Sequence, residues 1–156
     1  MKKILSLVFV FCVFLIPLSA KVITVDNNAG SVAQYSSLAS AITEADPGDT
    51  LLIVGSPSSY GSHSIYKELH FIGVGYFLAE NNIPGLSTNH TLAHITFKQD
   101  NSLGDSDNSS AVGISGALNS DPGVSGLIID KCYSPSWNWR FQGQVTVTTC
   151  YTGFQV

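Results

Sequence analysis

Arginine is almost absent from this chain. Arg140 is the only one, and lysine and arginine together number 7 against 11 acids in 156 residues. Without a cluster of basic side chains to neutralise phosphates, nucleic acid is excluded as a partner. Cysteine is nearly as scarce, with only Cys12, Cys132 and Cys150. There is no P-loop, no dinucleotide fingerprint, no H-E-x-x-H motif and no nucleophile–His–Asp spacing. Long apolar runs are also missing, save one at the start.

That run, Ile4 to Ile16, is thirteen residues long with Ser6 as its only polar member. A membrane-spanning helix needs about 20. Lys2 and Lys3 precede it, and Pro17-Leu18-Ser19-Ala20 supplies small residues where a leader would be cut. Residues 1–20 are therefore expected to be a signal peptide, with no membrane span once it is removed. Cys12 lies inside the apolar run and no cysteine closely follows Ala20, which argues against a lipid-modified start. Beyond residue 20, Lys21, Lys67, Lys98, Lys131 and Arg140 face eleven acids, a formal charge of −6. Ser, Thr, Asn and Gly fill the polar positions, as is common in exported β proteins. The expected location is extracellular or the cell surface.

Val22-Ile23-Thr24-Val25 reads as a short strand closed by Asp26-Asn27-Asn28. Tyr35, Leu38, Ala41, Ile42 and Ala45 recur at helical spacing after Ser36 or Ser37 as N-cap. Asp46-Pro47-Gly48 ends that helix, since the residue before proline avoids helical angles. About ten residues is too few for a helix to stand alone, so its apolar stripe must pack on something. From Leu51 onward the pattern is β. Leu51–Val54 is continuously apolar, which predicts burial on both faces. Leu69–Ile72, Ala93–Phe97, Val112–Ile114, Leu127–Ile129, Trp137–Phe141 and Val145–Val147 follow. No helical segment long enough for a βαβ crossover lies between them.

Internal repetition carries the architectural argument. Leu127 to Tyr133 is echoed by Val145 to Tyr151, eighteen residues on, which aligns Cys132 with Cys150 and Tyr133 with Tyr151. Leu51–Val54 and Leu69–Ile72 show the same offset, while Asn81–Asn89 and Asp100–Ser110 read as insertions. Short strands recurring without helices predict an all-β chain coiled as a parallel solenoid. A β-sandwich is the alternative, but tight Asn-Gly or Asp-Gly hairpin turns are missing between the strongest strands.

These segments also form a familiar opening. Val22 to Asp26, then Tyr35-x-x-Leu38-x-x-Ala41-Ile42-x-x-Ala45, then Pro47-Gly48-Asp49-Thr50-Leu51-Leu52-Ile53-Val54 resembles the start of pectin-lyase-like right-handed parallel β-helix proteins. Tyr60-Gly61 and Lys67 to Tyr76 continue the likeness, and residues 124–153 share it through their repeat. It departs at Gly55 to Tyr60, where a shorter Pro-Gly-x-Tyr turn is usual. The resemblance implies a right-handed β-helix over residues 21–156 whose first coil is plugged by the short helix. With the leader, it suggests a bacterial surface protein. It specifies fold rather than activity, because the superfamily includes lyases, hydrolases, adhesins and proteins of no known activity.

Three residue groups could carry chemistry. Trp137, Trp139 and Phe141 share one strand face and Arg140 the other, which suits a sugar-stacking platform or, equally, aromatics filling a coil. Asp100, Asp105 and Asp107, with Asn101 and Asn108, offer oxygen ligands for Ca²⁺. The EF-hand pattern is absent there, since Gly116 stands at its closing glutamate position, and a solvated loop explains the same residues. Cys132 and Cys150 fall on adjacent strands, close enough for a disulfide in an oxidising compartment or for stacked free thiols. His63, His70, His90 and His94 lack the spacing of a zinc site, and His70 and His94 are expected to point outward. Asn89-His90-Thr91 and Asn108-Ser109-Ser110 are glycosylation sequons, of consequence only in a eukaryotic host.

The expected function is a secreted or surface-displayed β-helix segment with a structural, adhesive or glycan-binding role, its partner a polysaccharide or surface glycan and no resident cofactor required. The alternative is the N-terminal part of a polysaccharide lyase or glycoside hydrolase. Because the sequence stops just after a strand with no second cap, further coils of the same chain are expected beyond Val156.

Overall fold

The structure, a computed structural model, describes residues 19–75, 89–134 and 139–152. The chain is mostly β. Strands β1 (Val22–Val25), β2 (Asp49–Ile53), β4 (Leu69–Ile72), β8 (Ser110–Val112), β10 (Leu127–Asp130) and β13 (Val145–Thr148) form one six-stranded sheet in that order. Strands β3 (Ser62–Ile65), β5 (His94–Phe97), β9 (Leu118–Ser120) and β12 (Arg140–Phe141) form a four-stranded sheet. A third ladder pairs β11 (Tyr133–Ser134) with β14 (Tyr151–Thr152) and is extended by single bridges from Tyr133 to Ser115 and from Ser115 to Leu92. Every one of these pairings is parallel. The exception is a small antiparallel hairpin, β6 (Gln99–Asp100) with β7 (Gly104–Asp105).

The chain visits these ladders in a fixed order. From β8 it passes Ser115 into β9; from β10 it passes β11 into β12; from β13 it enters β14. The interval between partners is eighteen residues from β8 to β10 and from β10 to β13. From β2 to β4 it is twenty rather than the expected eighteen, with Asp49 opposite Leu69 and Leu51 opposite Phe71. A two-residue slip leaves side-chain parity unchanged, so the same residues face inward.

Parallel register stacks like on like. Ile23, Leu51, Phe71, Ala111 and Ile129 form one buried column across the six-stranded sheet. Leu52, Ile72, Val112 and Asp130 run along its outer side, where Leu52 is 41% exposed. The apolar run Leu51–Val54 is thus buried on one face only. Opposite, Ile95 pairs with Leu118, and Ile65 with Phe97, all four buried. Phe71 and Phe97 meet edge to face at 6.1 Å and join the two sheets through the core.

Two of the parallel ladders and the turns between them rely on hydroxyls as well as amides. Ser109 Oγ accepts the N–H of Leu69 at 3.0 Å, and buried Thr91 Oγ1 donates to Ile53 O while accepting from Val74 N–H. The first corner after the six-stranded sheet is left-handed in three successive passes, at Gly113, Lys131 and Thr149, with φ of 69°, 50° and 44°. The expected strand Val112–Ile114 is accordingly shifted to Ser110–Val112, because Gly113 takes the corner.

Helix α1 (Leu38–Glu44) is shorter than the ten residues expected, and it packs beside β1 with Leu38 and Ala41 buried. Ser37 occupies the N-cap without a side-chain capping bond. Lys67 Nζ donates to the carbonyls of Thr43 and Ala45, meeting acceptors that the helix end leaves over. Below the helix, Gly48 turns the chain at φ 88° into Asp49, which is 1% exposed. The Asp49 carboxylate accepts the main-chain N–H of Lys21 at 2.9 Å and of Asp46 at 2.8 Å, with the Lys21 ammonium at 3.3 Å. One side chain therefore ties the start of β1 to β2 and to the helix exit.

Candidate functional site

The third ladder is where parity and size combine to make a recess. After each left-handed corner the next residue points inward and the following one outward. Ile114 and Cys132 are buried; Ser115, Tyr133 and Tyr151 follow them in the outward row, with Leu92 on the far side of Ser115. Tyr133 and Tyr151 stack at 5.8 Å and 20° between planes. In the neighbouring pass the same position holds Ser115, a far smaller side chain, and the missing bulk leaves a notch. Its volume is about 310 Å³, and Ser56, Pro57, Asn89, His90, Leu92, Ser115 and Tyr133 line it.

Ser115 is one of the residues that line it. Its backbone is satisfied, donating to Thr91 O and accepting from Ala93 N–H. Its hydroxyl is 3% exposed as a residue and meets no hydrogen-bond partner among the described residues. A buried polar group left unmatched costs about 1–3 kcal/mol, so such groups call for an explanation. His90 lies over the notch, its ring 6.3 Å from that of Tyr133 and its Nδ1 3.4 Å from the Gly75 carbonyl. A carbonyl only accepts, so Nδ1 is the donor in that contact. Among the described residues that line it there is no carboxylate, lysine or arginine.

The sequence candidates lie elsewhere. Trp137 falls outside the described residues. Trp139 Nε1 donates to Gly116 O at 2.9 Å, and its ring packs with Phe141 against the core. Arg140 is exposed and sits in the outward row after Thr96 and Asn119, its main-chain N–H bound to Asn119 Oδ1. The structure thus turns Trp139 and Arg140 to opposite sides of one strand.

Asp100, Asp105 and Asp107 are not brought to a common point. Asp100 closes its own hairpin: the Ser102 hydroxyl, then the N–H groups of Ser102 and Leu103, hold its pKa below the usual carboxylate range. Asp107 reaches the next pass and binds the N–H and Oγ of Ser125 at 2.8 and 2.9 Å. Among the described residues no three His, Cys, Asp or Glu side chains converge as a metal site would require. The histidines are similarly dispersed: His63 contacts Tyr60 O, His70 the Ser110 hydroxyl, and His94 accepts the Ala117 N–H. His70 is half-buried and His94 exposed, both on the outer side of their strands.

Cys132 and Cys150 stack in adjacent passes as free thiols, the Cys132 N–H pointing at Cys150 Sγ at 3.4 Å. The contact with Cys132 lowers the Cys150 pKa to about 7 against the opposing effect of burial, while the same contact and burial push Cys132 upward.

Sequence reading did not single out the notch. The echo between Cys132-Tyr133 and Cys150-Tyr151 was its signal: an inward cysteine puts the following tyrosine outward. What hid it is that Ile114-Ser115 fills the equivalent place with neither cysteine nor tyrosine. Comparison with known proteins brings no relative, as no family model, curated protein or solved structure matches the chain. Fold and site define a class only: a mainly parallel β chain with an aromatic row and a recess beside it.

Proposed function

We propose that this is an exported parallel β-solenoid of the pectin-lyase-like kind that acts as a glycan-binding surface. The solenoid reading is supported by the fixed order in which the chain visits its three ladders, by the column of left-handed corners, and by the helix set beside β1. The export reading rests on the leader-like residues 1–20. The observation that carries the binding role is the outward stack of Tyr133 and Tyr151 running up to the notch. Rigid aromatic faces fit the C–H faces of sugar rings, and hydroxyl and imidazole groups beside them fit sugar hydroxyls. A catalytic role draws no comparable support, because the described lining residues include no pair of carboxylates for acid–base work and no cation for a uronate.

The test is retention on insoluble and immobilised polysaccharides. The chain should be retained by at least one neutral glycan, and the double variant Y133A/Y151A should lose that retention while keeping its circular dichroism spectrum. Release of unsaturated sugars, read by ultraviolet absorbance, would overturn the non-catalytic reading.

A further inference from the structure

Independently of the glycan reading, we propose that Cys150 is a site of two-electron oxidation by small hydroperoxides, and that Cys132 resolves it into a disulfide. Register brings the two together. Asp130 pairs with Thr148 and Tyr133 with Tyr151, so Cys132 and Cys150 occupy matching places in successive passes. The main-chain N–H of Cys132 donates to Cys150 Sγ at 3.4 Å. Parallel neighbours stand about 4.7–4.9 Å apart, inside the about 4.4–6.8 Å between α-carbons that a disulfide spans. Packing alone asks for no thiol here, since Ile114 fills the matching place one pass earlier and is buried.

The two sulfurs stand in different surroundings, which assigns their roles. Cys132 is fully buried, and its thiol donates to the carbonyls of Asp130 and Ala111 at 3.2 and 3.3 Å. Cys150 is half-buried, and among the described residues no strand follows β13 and β14 to cover it. The Cys132 side chain, and then its N–H, hold the Cys150 pKa at about 7 against the cost of burial. The thiolate is the reactive form. Its sulfur attacks one peroxide oxygen: an S–O bond forms, the O–O bond breaks and hydroxide leaves. Sulfur gives up two electrons and the peroxide takes them. Contact with Cys150 is the largest reason that the Cys132 pKa is raised, and it weakens once Cys150 is a neutral sulfenic acid. The Cys132 sulfur then attacks in turn. The S–S bond forms, the S–O bond breaks, and the oxygen departs as water with the Cys132 proton.

The experiment treats the reduced 156-residue chain, carrying Cys12→Ser so that only these two thiols remain, with hydrogen peroxide. Trypsin cleaves after Lys131 and Arg140, so the product should appear as residues 132–140 joined to residues 141–156. Its mass should be about 2 Da below that of the two reduced peptides together. Dimedone, which traps sulfenic acids, should label Cys150 in the Cys132→Ala variant, where no resolving thiol is left. Cys150→Ser should slow peroxide oxidation of the remaining thiol by about tenfold or more. A packing role alone would move none of these readouts. Equal dimedone labelling of Cys132 in Cys150→Ser and of Cys150 in Cys132→Ala overturns the proposal. So do cross-links formed only between chains, and over-oxidation without the 132–150 linkage. Should Cys132→Ala fail to fold, the Cys12→Ser chain still decides: linkage no faster in the folded chain than in urea overturns the proposal as well.

Discussion

Asp49 concentrates the polar energetics of the amino-terminal region on one carboxylate. Burial works to raise its pKa, but the N–H groups of Lys21 and Asp46 and the Lys21 ammonium outweigh it, and the net shift is downward. A carboxylate whose folded pKa is lowered contributes stability above its unfolded value, about 3.9, and loses it as pH falls through the folded value. Asp49→Asn should therefore cost about 1–3 kcal/mol near neutrality, and the penalty should shrink below about pH 4. Urea unfolding at several pH values reads both. The cysteines give a second residue-scale outcome. With Cys150 held to about 7 and Cys132 raised, native protein should alkylate at one thiol with a midpoint near neutral pH. Cys132 should react only on unfolding, and Cys150→Ser should abolish native labelling in a chain starting at Lys21; on the export reading, two free thiols in that processed chain set aside a disulfide.

The corners set the regularity of the elements. Lys131 and Thr149 are held where L-residues lose about 1–2 kcal/mol each, which Gly113 avoids. Lys131→Gly should gain somewhat under about 1 kcal/mol, since the added freedom of the unfolded chain returns about 0.5–1. Gly113→Ala should lose about 2 kcal/mol, because its Cβ would stand 2.7 Å from Gly73 O and 2.8 Å from Gly75 N, both backbone atoms. Chemical denaturation of the two variants against wild type checks the opposite signs.

Which elements were legible follows from the same physics. Strands β1, β2, β4 and β10 carry Ile, Leu, Val and Phe on their inner side, so their places show in the sequence, whereas β8 offers only Ala111 inward and was expected two residues late. Strands β3 and β9, Ser-His-Ser-Ile and Leu-Asn-Ser, are mostly polar and are held by their neighbours, so no local pattern reveals them. The eighteen-residue offset at Leu51 and Leu69 misled because Asp49 reads as part of a turn, although buried interactions make it the first residue of β2. The notch depended on a serine aligned with two tyrosines, a correspondence that only the register exposes.

At the scale of the molecule, the two main sheets are held together by inward columns rather than by local contacts. Among the described residues Phe71 and Phe97 are the largest fully buried side chains, and they touch across that gap. Phe97→Ala should cost about 3–5 kcal/mol, a large share of the about 5–15 kcal/mol typical of a domain, and should show as a lower urea midpoint with an unchanged slope.

The bond between the Lys21 main chain and Asp49 bears on maturation. On the export reading, scission after Ala20 would turn that amide into a free ammonium already seated 2.9 Å from a buried anion. Protease action would then add a charged contact where a neutral one stood, and the processed form should melt higher than a version extended by a few residues ahead of Lys21. Asp49→Asn should erase that difference, making the new amino terminus a fastening that only the trimmed protein possesses.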